Sequence, residues 1–353
     1  MAELRTERKK QKKKGKWKKR ILYISLLILI AIISIVAYFF FQVYGAAQDS
    51  HVDLDRPDGK SEKRTEQVEI TNDPISILLM GVENYSSDGI NGRADTLIVA
   101  TLNPDTKEVT MTSVPRDTRV ELPAERAGTN AGMHKINASY TFGSISGYGA
   151  EKATVETVEE FLDIPIDEYI AVDFEGFRDI VDALGGVQVD IKEGFWEENI
   201  FNDNKRIYFE QGSAELNGEE ALAFVRMRKR DVNTIYPRDE RQRQFIKASL
   251  DQAISAGTIF RIDEITDILG EHVTTSLSAK EIYHLQQSYS SIRTSSIKTH
   301  NIEGTNQRIN GLYYFIPTEE GINVTTERLK QELELLEENS SESTPETSTQ
   351  TSE

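Results

Sequence analysis

The chain contains no cysteine. Thiolate metal sites and structural disulfides are therefore excluded, a composition that suits an extracytoplasmic protein needing neither. Histidine is scarce as well. His51, His134, His272, His284 and His300 are scattered without an HExxH-type pair, which argues against a zinc hydrolase. A net basic balance is missing from most of the chain. The formal net charge is −17, but residues 1–20 carry +9 and residues 21–44 carry none, so the other 309 residues hold −26. A body that acidic is a poor general partner for nucleic acid, because binding the phosphate backbone needs a basic surface.

Residues 21–44, ILYISLLILIAIISIVAYFFFQVY, form a 24-residue uncharged run. As a helix it would be about 36 Å long, and a bilayer core of about 30 Å needs roughly 20 such residues. Secretory h-regions are shorter, roughly 7–15 residues, so a retained transmembrane helix is expected. The RTERKKQKKKGKWKKR flank marks residues 1–20 as cytoplasmic and places the body outside the cell. Residues 45–73 are polar, contain Pro57 and Gly59 and lack apolar periodicity, which predicts an extracellular linker. Residues 338–353 are rich in Ser, Thr and Glu and predict a disordered tail. Residues 74–337 remain for a single folded domain.

That domain opens on ISILLMGV (75–82), an apolar run suited to a strand buried on both faces. DTLIVATLNPDTKEVTMTSV (95–114) predicts two strands around Asn103-Pro104-Asp105. Val155, Val158 and Leu162 make one stripe of an amphipathic helix. YIAVDF (169–174) predicts a strand, EGFRDIVDALGG a helix stopped by Gly185-Gly186, and VQVDI another strand. LNGEEALAFVRMR and PRDERQRQFIKASLDQAISAG predict two further helices, the second with Pro237 near its first turn. More helices are expected between 262 and 292, then a closing strand pair from SIKTHNIEG and INGLYYFIP, and a charged final helix. Alternating strands and helices predict an α/β sheet covered by helices.

The chemistry-bearing feature is AFVRMRKRDVNTIYPRDERQRQ (223–244), with six arginines and one lysine. Arg226 and Arg228 close one helix. Arg238, Arg241, Gln242 and Phe245 make a stripe at the start of the next, where free N–H groups and the helix dipole already favour an anion. Guanidinium forks match phosphate oxygens. The competing reading is a solvated charged helix paired with Asp231, Asp239 and Glu240. Elsewhere, Glu83 and Asp95 stand at strand edges with Arg93 between them, a carboxylate pattern that suits Mg²⁺. Arg116 follows a strand on a rigid Val-Pro step. Asp95 and Asp231 are both open as general bases. His134 is assigned to the surface, and GLYYFIP to the core rather than to a sugar platform.

Taken in order, ILLMGVE, GRADTLIVATLNP, MTSVPRDTRV, HKINASYTFG, VDFEGFRDIVDALGGVQVDI, LNGEEALAFVRMRKRD and RDERQRQF resemble the LytR-CpsA-Psr family over roughly residues 75–250. HNIEGTNQRINGLYYFIP is similar to its teichoic-acid-transferring branch. The resemblance implies a mixed central β-sheet flanked by helices, with an apolar cleft for lipid. It implies a transferase that moves a glycopolymer, wall teichoic acid, from an undecaprenyl-diphosphate carrier to the C6 hydroxyl of N-acetylmuramic acid in peptidoglycan. It assigns Arg93, Arg116, Arg226, Arg228, Arg238 and Gln242 to the lipid diphosphate, Glu83 and Asp95 to Mg²⁺, and the catalytic centre to Arg93, Asp95 and Arg116. Two positions depart from the family pattern: Glu83 stands where Asp is usual, and TIYPRDERQ where an Asp-aromatic-Gly step often precedes the arginine. Two other readings keep the arginines: a membrane-anchored lipid-phosphate-binding or envelope-sensing protein without transferase activity, and a lipid-diphosphate hydrolase.

Overall fold

The structure, a computed structural model, describes residues 45, 50–84, 91–255, 270–289 and 292–336. No helix among them is long and apolar enough to cross a membrane. The expected transmembrane run 21–44, the basic head and the Ser/Thr/Glu tail lie outside the described residues.

β1 (Ile75–Glu83) is the expected apolar strand, and β2 (Arg93–Leu102) and β3 (Val109–Ser113) flank the Asn103-Pro104-Asp105 turn. A small hairpin of β4 (Arg119–Leu122) and β5 (Gly132–Lys135) precedes α1 (Ala138–Ser146) and α2 (Ala150–Leu162). β6 (Glu168–Asp173) runs directly into α3 (Phe174–Ala183). Four short strands follow: β7 (Val187–Ile191), β8 (Phe195–Asn199), β9 (Lys205–Phe209) and β10 (Gly212–Leu216). Then come α4 (Gly218–Arg226), α5 (Arg238–Ser255), β11 (Val273–Thr275) and α6 (Ala279–Tyr289). β12 (Lys298–Asn301), β13 (Gly304–Ile309), β14 (Leu312–Pro317) and α7 (Glu319–Glu332) complete the order.

Six strands form the central sheet in the order β11-β6-β1-β2-β3-β12. It is mixed. β1 is parallel to β6 and antiparallel to β2, β3 is antiparallel to β2, and β12 is parallel to β3. β1 and β2 lie in the middle, and apolar side chains therefore leave them on both faces. On one face Leu78, Met80, Leu97 and Val99 pack against Val155, Val158 and Leu162 of α2 and Leu329 of α7. On the other, Ile98 and Met111 meet Ile297 and Ile246. A second core holds α3, α4 and the strands β7 to β10 around Phe195, Phe209, Phe224 and Phe245. Helix α5 joins the two, because Phe245 faces the second core while Ile246 faces the sheet.

The capping signals act as the sequence suggests. Asn217 opens α4 with a reciprocal capping box, accepting from Glu220 N while its own N–H donates to Glu220 Oε2, both 3.0 Å. Gly185 and Gly186 end α3 at φ +82° and +94°, conformations open to glycine at little cost. Pro237 stands just before α5, next to its first turn, where its carbonyl accepts from Arg241 N at 3.1 Å.

Two expectations are corrected. Residues 50–73 are not a linker: Ser50, Leu54, Ser61, Arg64 and Ile70 are buried against the domain. Arg64 donates to both oxygens of Asp167 (2.9 and 2.7 Å), and Arg56 pairs with Glu159 at 3.0 Å. The segment is held by polar side chains whose partners lie about a hundred residues away, so no local apolar period reports it. The closing strand pair is also rearranged. Residues 298–301 join the main sheet beside β3, while β13 pairs with β14 around Asn310-Gly311, both at positive φ. Asn-Gly is the preferred two-residue hairpin turn.

Candidate functional site

β1, β3, β6 and β12 all run in one direction, and their C-terminal ends meet the start of β2. In sheets of this kind, ligands bind beyond that end. There the β1–β2 register slips: Gly81 pairs with Thr96 but Val82 pairs with Ala94, leaving Asp95 as an extra residue in a β-bulge. Bulges re-aim side chains. Asp95 accepts from Asn137 Nδ2 at 3.0 Å and forms an ion pair with Arg116 Nη1. Thr96, the next residue, accepts from Gln242 Nε2 of α5 at 2.8 Å.

Arg116 lies on the turn after β3, closed by Thr118 N donating to Pro115 O at 2.9 Å and by Asn137 N donating to Arg116 O at 3.2 Å. Its Nε is buried without a hydrogen-bond acceptor among the described residues, and a carboxylate oxygen of Asp117 lies 3.9 Å from it. Arg238 faces Arg116 from α5. Burial, and then the repulsion of Arg116, hold the Arg238 guanidinium below its usual pKa despite attraction from Asp95 and Asp117. Two guanidiniums brought together in one cavity wall suit an anion. A cavity of about 930 Å³ has Asp95, Arg116, Asp117, Arg228, Arg238 and Gln242 in its wall together with Asn306, Tyr313 and Phe315.

The arginine-rich segment divides its labour. Arg228 and Arg238 line the cavity. Arg241, expected on the same stripe, is instead fully buried at 0% exposure. It donates to the carbonyls of Phe224, Met227 and Tyr236 and to Asn233 Oδ1, so it clamps the loop that carries Arg228. Burial pulls its pKa down to about 10, which still leaves it charged at neutral pH. Arg243 ties α5 to Ser113 Oγ (2.7 Å) and Asn301 Oδ1 (2.6 Å) at the ends of β3 and β12. Arg230 stacks on Trp196, 3.4 Å from the ring centroid. Arg226 lies 5.5 Å over the ring of Phe174 and outside the cavity wall.

Glu83 and Arg93 are cross-strand partners at the tips of β1 and β2, beside the bulge rather than in the cavity wall. Among the described residues no three His, Cys, Asp or Glu side chains gather as a closed metal site. Glu83 and Asp95 on adjacent strands are a donor set that fits Mg²⁺, which uses one or two carboxylates and completes its shell with water and substrate oxygens. Asp231 is exposed on the turn before α5. The same sheet end carries features that were not singled out from the sequence. Asn137 and Thr96 orient the site, and His272 Nδ1 meets Asp173 Oδ2 at 3.0 Å. Burial opposes charge on His272, but Asp173, with Glu175 and Asp179, outweighs it and raises the pKa.

Comparison with known proteins places this geometry. Residues 37–331 match the LytR_cpsA_psr family. The chain is 40% identical over 335 residues to the polyisoprenyl-teichoic acid–peptidoglycan teichoic acid transferase TagV of Bacillus subtilis (strain 168), covering 94% of this chain and 81% of that protein. The crystal structure of B. subtilis TagV superposes with a TM-score of 0.62 at 42% identity, covering 74% of this chain and 98% of that one. The LytR-CPS2A-psr family protein YwtF (TagT) with bound octaprenyl pyrophosphate lipid superposes with a TM-score of 0.61 at 27% identity, covering 80% of this chain and all of that one. By sequence and by fold, this chain belongs to the LytR-CpsA-Psr family.

Proposed function

We propose that this chain transfers wall teichoic acid from an undecaprenyl-diphosphate carrier to peptidoglycan, joining the two by a phosphodiester at the C6 hydroxyl of N-acetylmuramic acid. The observation that carries the reading is the pair Arg116 and Arg238, two mutually repelling guanidiniums in one cavity wall. A diphosphate supplies the charge and the acceptors that this pair calls for. The relatives' named activity and the pyrophosphate lipid bound by TagT support the same chemistry.

In this reaction the hydroxyl oxygen attacks the phosphorus that bears the glycan. The bond from that phosphorus to the lipid phosphate oxygen breaks, and undecaprenyl phosphate departs with the electron pair. Arg116, Arg228 and Arg238 hold the diphosphate and meet the charge growing on the leaving phosphate, an effect strongest in a water-poor, preorganised site. Gln242, fixed by Thr96, offers its amide to the same oxygens. Arg93 and Arg226 would approach the diphosphate from outside the cavity wall. Glu83 and Asp95 would hold Mg²⁺, which when bound acts as a Lewis acid on phosphate oxygens. Asp95 has one oxygen on Arg116 and the other on Asn137, so it acts as an orienting carboxylate and not as the base. The hydroxyl proton passes to water at the mouth of the cleft. Residues 21–44 anchor the chain in the cell membrane with residues 1–20 in the cytoplasm, and the domain works outside where the carrier diphosphate lies.

The test is product formation by the full-length chain in detergent, from a synthetic lipid-diphosphate glycan and a peptidoglycan oligomer, followed by mass spectrometry. The joined product is expected with Mg²⁺, to disappear with EDTA, and to fall about 100-fold or more in Arg116→Ala. Glycan phosphate released without joining would replace transfer by hydrolysis. Tight lipid binding without turnover would replace it by a binding role.

A further inference from the structure

The β13–β14 hairpin lines the same cavity as the arginines. Its register pairs Asn306 with Phe315 and Arg308 with Tyr313, so these four side chains share one face, while Gln307 and Tyr314 share the other. Tyr314 is buried, with Arg119 and Lys135 near its ring. The opposite face therefore meets the cavity, and Asn306, Tyr313 and Phe315 line it. Tyr313 is 63% exposed. The Arg308 guanidinium braces the ring 5.6 Å from its centroid.

The hairpin is held firmly to the anion site. Phe315 N donates to Asp117 O at 2.8 Å, and Thr118 bridges to Phe315, so β14 is tied to the turn that carries Arg116. Gly304 permits a close approach: a Cβ there would fall 2.4 Å from Phe315 Cζ. Asn301 also lines the cavity, with its Oδ1 accepting from Arg243. A flat, solvent-facing aromatic ring flanked by amides and one cation has the chemistry of a pyranose subsite. The apolar C–H face of the sugar lies on the ring, and the hydroxyl rim meets the amides.

We propose that Tyr313, with Asn306 and Asn301, forms a subsite for the sugar ring adjacent to the phosphate held by Arg116 and Arg238. This rests on the transferase reading for the phosphate and adds a specificity-determining surface to it. That ring belongs either to the glycan on the carrier or to the acceptor glycan, and the two share the chemistry described.

The test uses the full-length chain in detergent with three variants: Tyr313→Ala, Tyr313→Trp and Leu312→Ala. Leu312 sits on the same strand, is exposed and is absent from the cavity wall. KM is measured for the donor at saturating acceptor and for the acceptor at saturating donor. Tyr313→Ala is expected to raise one KM about tenfold with kcat within about twofold, while Tyr313→Trp and Leu312→Ala stay near wild type. The KM that moves identifies the sugar. Unchanged values for both substrates overturn the subsite, as does an equal effect in Leu312→Ala. Binding is read separately from turnover through the fluorescence of Tyr313→Trp, titrated with a soluble peptidoglycan oligosaccharide and with the glycan donor. A saturable change with either, in a chain whose wild type gives no joined product, would keep the subsite and remove the transferase. No change with either sugar would remove the subsite whether or not transfer occurs.

Discussion

Replacing Arg238 by Met separates what the anion site requires from what the fold requires. The charge of Arg238 is opposed first by burial and then by Arg116, and Asp95, Asp117 and Asp239 do not make up the difference. No carboxylate among the described residues comes within ion-pair distance of its guanidinium. Without ligand, Arg238→Met should therefore leave the protein as stable as wild type or more stable by at most about 1 kcal/mol, since Arg238 is half-buried and apolar replacements of poorly compensated charge are often neutral or stabilising. For a domain of this size that is roughly 2–4 °C in Tm. Inorganic pyrophosphate reverses the order. At a hundred times Kd it should stabilise wild type by about 2.7 kcal/mol. Loss of one charged hydrogen bond, about 2 kcal/mol, weakens binding about 30-fold. The variant at the same concentration should then gain only about 0.9 kcal/mol. Differential scanning fluorimetry with and without pyrophosphate reads both effects. A variant that melts several degrees lower without ligand, or that keeps the full wild-type shift with it, would refute the reasoning.

Burial raises the pKa of Glu168 from 4.5 to about 7, with Ser276 only partly compensating. A carboxyl raised on folding favours the folded state below its unfolded pKa, and that advantage is lost as pH rises through the folded value. Glu168→Gln should thus melt like wild type near pH 4.5 and above it at pH 8, by at most about 3 kcal/mol; equal melting at pH 8 would show the carboxylate to be well accommodated. Arg64→Ala should cost about 3–5 kcal/mol in urea denaturation, because it strips a bidentate partner from the buried Asp167. Ser76 N and Oγ remain on that carboxylate and favour the lower end of the range. A loss below about 1 kcal/mol would mean that residues 50–73 are not held by this pair.

The sequence by itself determined the parts whose physics is local. Continuous apolar residues made β1 a central strand, the Val155, Val158 and Leu162 stripe made α2, Asn217 with Glu220 opened α4, and Gly185-Gly186 ended α3. Asn310-Gly311 carried an equally local hairpin signal, which explains why β13 and β14 pair with each other. The inventory of arginines and carboxylates was also legible, because an acidic body has few reasons to concentrate guanidinium. Their assignment was left to tertiary structure. Arg238 and Arg241 share a helix and a sequence stripe, yet one faces the cavity and the other is consumed by loop carbonyls of residues 224, 227 and 236. Asp95 is aimed by a bulge that exists only once β2 registers against β1. Residues 50–73 join the domain through Asp167 and Glu159, partners too distant in sequence to leave a local pattern. Tyr313 and Tyr314 are neighbours of one residue type, and only the strand's alternation against the Arg116 turn buries one ring and turns the other toward the cleft. Periodicity and capping act within a few residues and can be read from order alone, whereas burial and charge pairing are decided by which distant segments the fold brings together.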